Sequence, residues 1–279
     1  MNNLLVLIQC KDRVGLVTNI TRVLAQHQLN IIAMREFVDE VEQKFFTRIE
    51  CSGTVEDYKI LKEELLSSLP IAADVHLIPK AEKSIALLVT KEFHCLADIL
   101  VRAHFKTLGA EVKCVIGNHE TLKEFAEKFD VPFFYVSHED KSKADFENEI
   151  TNLLSNYQLD YIVLAKFMRI LSPAFNAQYT HKIINIHHSF LPAFIGASPY
   201  KQAFERGVKI IGATAHFVTN NLDEGPIISQ QTIHVNHTYD AKQMAVAGRE
   251  IEKAVLSKAL EQVLEDRVFV SGNKTIVFE

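Results

Sequence analysis

The sequence predicts an α/β protein of two domains: a small βαββαβ unit over residues 1–80, then a Rossmann-like, mainly parallel sheet flanked by helices over residues 84–279. Three observations predict it. Apolar runs in the first eighty residues change period in the order strand, helix, strand, strand, helix, strand. From Ser84 onward, short β-rich runs alternate with helical stretches. Between the two patterns stand Pro79 and the charged stretch KAEK, the composition of a linker.

In the first unit LLVLIQC is a continuous apolar strand, and VGLVTNITRVLAQH repeats apolar residues at the spacing of a helix with one buried face. NIIAMREFVDE and KFFTRIEC are rich in β-branched and aromatic residues and read as strands. EDYKILKEELLSSL is a second amphipathic helix, and IAADVHLI a last strand. That order is the split-βαβ arrangement. In the second domain SIALLVT, EVKCVIGN, PFFYVS, DYIVLAK and KIINIHH are short apolar runs, with helical stretches between most of them. Runs apolar on both faces imply parallel strands covered by helices on each side. Ligands of such sheets bind beyond the carboxyl ends of the strands. IIGATAHFV and PIISQQTIHV add two strands, AKQMAVAGREIEKAVLSKALEQVLE is the longest helix, and RVFV and KTIVFE are small terminal strands.

Composition excludes several function classes. Of 279 residues 48% are hydrophobic and 23% charged, enough apolar surface to need neither disulfides nor metals as staples. A net charge of −5 opposes an electrostatic grip on nucleic acid, and no basic run offers itself to an acidic membrane surface. Cys10, Cys51, Cys95 and Cys114 form no C-x-x-C pair, so structural zinc is not expected and a reducing compartment is. The N-terminus lacks a basic region and a cleavage site, and no apolar run reaches the roughly 18–20 residues of a membrane span. A cytoplasmic protein is expected.

The densest polar cluster is INIHHSFLPAFIGASPY, residues 184–200, at the end of a buried strand. Asn185 and His187 are two apart, so an extended backbone points them to one face. An imidazole exchanges protons near neutral pH, and an amide N–H stabilises an oxyanion; chemistry at a carbonyl needs both. Spacing alone also admits polar residues that cap a strand and start a turn. A second cluster, TNNLDEGP, places Asp223 in a loop after His216. A carboxylate beside an imidazole orients it, but Asp and Gly are also ordinary turn residues. His187, His188, His216 and Asp223 have the atoms of an N/O metal site, yet no H-E-x-x-H spacing is present and no metal is expected. No G-x-S-x-G occurs, and the first turn of the large domain, VTKEFHC, has no glycine with which to cradle a phosphate.

With LAKFMRIL (164–171) and HFVTNNLDEGPII (216–228), that polar cluster resembles the folate-dependent formyltransferase family, three motifs in order across residues 84–279. The first unit resembles a ferredoxin-like ACT domain, which precedes the catalytic domain in the hydrolytic branch of the family. The resemblance implies that Asn185, His187 and Asp223 are catalytic. It implies a folate pocket lined by Met168, Arg169, Ile170 and Leu171, and a loop from Val218 to Asp223, with Val218, Thr219 and Asn220 in the pocket, that closes over the pterin. His216 matches the histidine of the strand before that loop.

Three departures from transferase relatives imply water as the acceptor. His188 stands where they carry Pro, Lys166 where they carry a small residue, and the glycine-rich phosphate loop is missing. The implied activity is hydrolysis of 10-formyltetrahydrofolate to formate and tetrahydrofolate, supplying formate for purine synthesis and balancing the one-carbon folate pool. The folate is substrate, and no cofactor is implied. Asp12, Val14, Gly15 and Leu16, with Asn30 and Ile31, match the places that border an amino-acid site in ACT domains, with glycine or methionine as effector and a homo-oligomer as the assembly. Gly15 equally fits a tight turn in a domain that only assembles subunits. Two readings stay beside hydrolysis: transfer to an amine, and a non-catalytic amino-acid sensor.

Overall fold

Strand alternation and helix stripes build the first unit as expected. It comprises β1 (Asn3–Lys11), α1 (Leu16–Gln26), β2 (Asn30–Asp39), β3 (Lys44–Ser52), α2 (Tyr58–Ser68) and β4 (Asp74–Pro79). The strands pair antiparallel in the order β2-β3-β1-β4. Val6 and Ile8 of β1 pack with the inner stripes of the helices, Leu16, Ile20 and Leu24 of α1 and Leu61 and Leu65 of α2, into one core. Asp57 starts α2 by accepting hydrogen bonds from the N–H groups of Lys59 and Ile60. The last strand starts three residues later than the run IAADVHLI suggests. Ala72 takes a left-handed φ of 64°, and the turn it makes with Pro70 leaves Ile71 in solvent.

In this computed structural model, which describes residues 3–193 and 199–279, the chain divides into Met1–Ala81 with Phe278–Glu279, and Glu82–Val277. The second unit runs β5 (Lys83–Val89), α3 (His94–His104), β6 (Ala110–Gly117), α4 (Lys123–Glu127), β7 (Phe133–Tyr135), α5 (Lys143–Leu154) and β8 (Tyr161–Leu164). It continues with α6 (Pro173–Gln178), β9 (Ile183–His187), α7 (Pro199–Arg206), β10 (Ile210–Phe217), β11 (Ile227–His234), α8 (Ala241–Leu264), β12 (Val268–Ser271) and β13 (Lys274–Val277). Seven of its strands form one sheet, β11-β10-β9-β8-β5-β6-β7, parallel from β9 to β7; β10 reverses against β9, and β11 against β10.

Period-two burial explains the two-sided sheet. Ile85, Leu87 and Val89 of β5 face one core with α3 and α8, while Ala86 and Leu88 face another with α5 and α6. α8 begins in a capping box made by Asp240 and Gln243. Strand order reverses between β5 and β8, and ligands of open α/β sheets bind in the crevice at that switch point. Here the Met168 N–H crosses it to the Thr90 hydroxyl oxygen, 2.9 Å away. All four cysteines are free and buried, and burial pushes the thiols of Cys10 and Cys51 up to about 11. None is poised as a nucleophile. Among the described residues no helix is long and apolar enough to cross a membrane.

Candidate active site

At the carboxyl ends of β8 and β9 the sheet opens into a cavity of about 270 Å³. It is lined by Asn185, His187, His188 and His216, by Lys166, Met168, Arg169, Ile170 and Leu171 after β8, and by Val218, Thr219, Asn220 and Asp223 after β10. Thus one cavity gathers every residue expected of the catalytic and folate-pocket sets. Within the motif at 184–200, residues 194–198 lie outside the described residues.

The ladder sets the side chains. β10 runs back along β9 with His216 opposite Asn185 and Thr214 opposite His187. The His216 ring donates from Nδ1 to the Phe217 carbonyl, 2.9 Å away, so in the neutral ring Nε2 is an acceptor. Burial lowers the His216 pKa against the Phe217 bond and the nearby Asp223, keeping the ring neutral. The Asn185 amide nitrogen lies 3.2 Å from that acceptor. His216 therefore fixes which end of the amide faces it, and leaves the second N–H of Asn185 for another partner.

His187 Nδ1 and Asp223 Oδ1 are 3.2 Å apart, with both side chains buried. Burial alone would raise the Asp223 pKa, but the His187 hydrogen bond and the surrounding histidines outweigh it and hold the carboxyl below its ordinary value. The carboxylate thus accepts from the Nδ1–H, and Nε2 of His187 is left buried without a partner, on a residue lining the cavity. A buried polar atom without a partner is costly, and such atoms mark places built for a missing one. Asp223 sits at φ 57°, a left-handed conformation that short polar residues accept more readily than others. Its loop is pinned at both ends. Asn176 of α6 donates from its amide to the Thr219 carbonyl at 3.0 Å, and Phe217 donates to the Pro226 carbonyl at 2.9 Å. A Cβ on Gly225 would fall 1.8 Å from the Phe217 oxygen, so only glycine closes that end.

Behind the cavity lies a second polar group of residues. Glu252 of α8 is almost fully buried and holds three donors: His94 Nε2 at 2.8 Å, the Tyr200 hydroxyl at 2.7 Å and the Lys166 ammonium at 3.1 Å. Burial would raise its pKa, but the His94 bond, the Lys166 charge and the Tyr200 bond bring it down to about 2. Burial, with the charge of Lys166, pushes the neighbouring His188 down to about 4, so this ring is neutral near pH 7. Lys166 itself has φ 63°, which a long side chain enters only at a cost of about 1–3 kcal/mol. His94, Cys95 and Glu252 bring three possible ligand atoms together, but the carboxylate there is already neutralised by an ammonium, which disfavours a cation.

The expected effector residues fall in the first unit. Gly15 precedes α1 at φ 89°, Val14 is fully exposed, and Asp12 donates its N–H to the Gln43 carbonyl. Leu16 is turned into the core, so this stretch can offer a ligand only its backbone there. Asn30 and Ile31 open β2.

Sequence reading missed Leu164, Phe167, Asn176 and Ile186, which also line the cavity, and Glu252 with its partners His94 and Tyr200. A signal for Glu252 does exist: it falls in the apolar stripe of its helix with Gly248, Val255, Leu256 and Ala259. A charge repeating in register with core residues is a charge facing the core.

The formyl transferase family model matches residues 83–260, and the ACT domain model residues 5–66. The formyltetrahydrofolate deformylase of Escherichia coli is 53% identical over 268 residues, covering 96% of this chain and 95% of the relative. That of Haemophilus influenzae is 50% identical, covering 98% of each chain. A solved formyltetrahydrofolate deformylase from Pseudomonas syringae superposes with a TM-score of 0.95 at 40% identity, over 100% of this chain and 95% of the other. Glycinamide ribonucleotide transformylase 1 from Symbiobacterium toebii gives a TM-score of 0.69 at 27% identity, over 73% of this chain and 98% of its own.

Proposed function

The chain belongs to the formyl transferase family, and within it to the formyltetrahydrofolate deformylases, which are hydrolases; from that premise we propose that it hydrolyses 10-formyltetrahydrofolate at Asn185, His187 and Asp223. The observation that carries this reading is the pair of His187 and Asp223: an ionised carboxylate on Nδ1, and an unpartnered Nε2 on a ring that lines the cavity beside Asn185.

Water attacks the formyl carbon on N10 and a tetrahedral intermediate forms. The free N–H of Asn185 and the protonated Nε2 of His187 donate to its oxyanion, a contribution of about 2.7–4 kcal/mol per donor in other acyl-transfer sites. Asp223 holds His187 and takes the proton of the attacking water, directly or through a second water. When the C–N10 bond breaks, that proton passes across the same residues to N10, and formate and tetrahydrofolate are released. Met168, Arg169, Ile170 and Leu171, with Val218, Thr219 and Asn220, form the two walls that would hold the folate.

Formate released here would supply purine synthesis and balance the one-carbon folate pool in the cytoplasm. The ACT unit would assemble a homo-oligomer and bind glycine or methionine near Gly15 and Asn30. The test of the reaction needs no acceptor: purified protein with 10-formyltetrahydrofolate alone should release formate and tetrahydrofolate in equal amounts. Product that appears only on addition of an amine would overturn hydrolysis in favour of transfer.

A further inference from the structure

The cavity has a charged wall that the hydrolytic reading does not use. Lys166 lines it beside His187 and His188, yet its ammonium is tied to Glu252, a carboxylate with three donors and almost no exposure. We propose that Lys166 is a specificity-determining residue: held on Glu252, its ammonium fills the place beside His187 where an acceptor amine would have to dock, so that water alone reaches the formyl carbon. This rests on the hydrolytic reading above and refines it.

A buried carboxylate directly behind the wall of an active-site cavity is a receptor for an ammonium ion, because a charged, hydrogen-bonding partner offsets its desolvation. Here that partner is supplied by the chain itself. The surroundings are built to keep it there. Gly248 admits the Tyr200 hydroxyl, since a Cβ at that position would lie 2.0 Å from its oxygen, and the hydroxyl donates to the other oxygen of the same carboxylate. His94 donates from the opposite helix at 2.8 Å. The backbone of Lys166 adopts a left-handed φ that places a long side chain where glycine or asparagine would sit with less strain. Strain kept at one position of a cavity wall points to a side chain whose placement matters.

Truncating the plug should uncover the receptor. In Lys166→Ala, a small primary amine would dock its ammonium on Glu252. After losing one proton to solvent it would attack the formyl carbon: the new N–C bond forms, the C–N10 bond breaks, and a second proton of the amine ends on N10.

The experiment offers glycinamide at rising concentration with 10-formyltetrahydrofolate, and follows formate and N-formylglycinamide by mass spectrometry. Wild type should yield formate throughout. Lys166→Ala should yield formylated amine, saturably, at about tenfold or more above wild type, the low end of what one pocket position is worth in discrimination. Adding Glu252→Gln to that variant should abolish the gain. A folded, folate-binding Lys166→Ala that still makes formate alone would overturn the proposal. Should that variant fail to fold, Lys166→Gly, which suits the left-handed φ, takes its place with the same expected and overturning results, and saturable formylation of glycinamide by wild type would equally overturn the proposal. Absence of formate from wild type would instead overturn the hydrolytic reading.

Discussion

Among the described residues of the large domain, two buried histidine–carboxylate pairs approach within 3.2 Å, and they are finished differently. Around Glu252 both carboxylate oxygens have donors: His94, Tyr200 and Lys166 converge on them and the carboxylate set is closed, although the far ring nitrogen of His94, Nδ1, is itself buried without a hydrogen-bond partner. Around Asp223 the set is open. His187 donates at 3.2 Å, while His216 stands 3.8 Å away with its own proton committed to a backbone carbonyl. Nε2 of His187 is left buried and unpaired. The same two residue types thus make a wall in one place and a candidate reactive group in the other; the donors gathered on the carboxylate, and whether the histidine lines the cavity, separate them.

Substitutions can break this contrast. Asp223→Asn should lower kcat by about 10²–10⁴-fold, the range for a positioned acid–base group, with folate affinity by fluorescence titration little changed. Normal turnover would remove Asp223 from the mechanism. Asn185→Ala should cost about 10²–10³-fold in kcat, the value of one oxyanion donor, and a change confined to KM would make it a binding group instead. Glu252→Gln should act on the other currency, lowering the free energy of urea unfolding by about 1–3 kcal/mol as buried donors lose their charged acceptor. If it left unfolding untouched, the closed set would not be structural.

The smallest effect is a slope. His188 has its pKa lowered from 6.5 to about 4, so between those values the unfolded chain binds more protons than the folded one, and stability falls as pH drops through that window. Glu252, lowered from 4.5 to about 2, keeps its stabilisation above 4.5 and loses it as pH falls toward 2. Urea midpoints measured from pH 7 to 4.5 should therefore decline less in His188→Asn than in wild type, whereas Glu252→Gln should flatten only the more acid limb.

Much of this was readable in the sequence because it is local. The βαββαβ order, the buried strands and the pairing of Asn185 with His187 rest on periods of two and of three to four residues. Asp223 could be singled out as a loop carboxylate, but its distance to His187 depends on the return of β10 along β9, which no local pattern carries. The Glu252 set was out of reach for the same reason: its partners lie 52 and 158 residues away in Tyr200 and His94. Glu252 itself keeps register with Val255, Leu256 and Ala259, but that stripe says nothing of what the carboxylate meets. The late start of β4 was missed because Ile71, apolar and β-branched, lies on a turn that only the backbone of Ala72 reveals.

The reversal of β10 has an engineering consequence. Because His216 reaches Asn185 through strand pairing, the hydrogen-bond ladder acts as the ruler that sets amide orientation. Inserting or deleting one residue upstream within β10 would send His216 to the opposite face of the sheet while leaving the strand's composition nearly intact. A graft of this site onto another α/β scaffold would have to import the two-strand pairing as a unit, with Thr214 against His187 and His216 against Asn185, since transplanting the side chains alone would carry the reagents without the alignment.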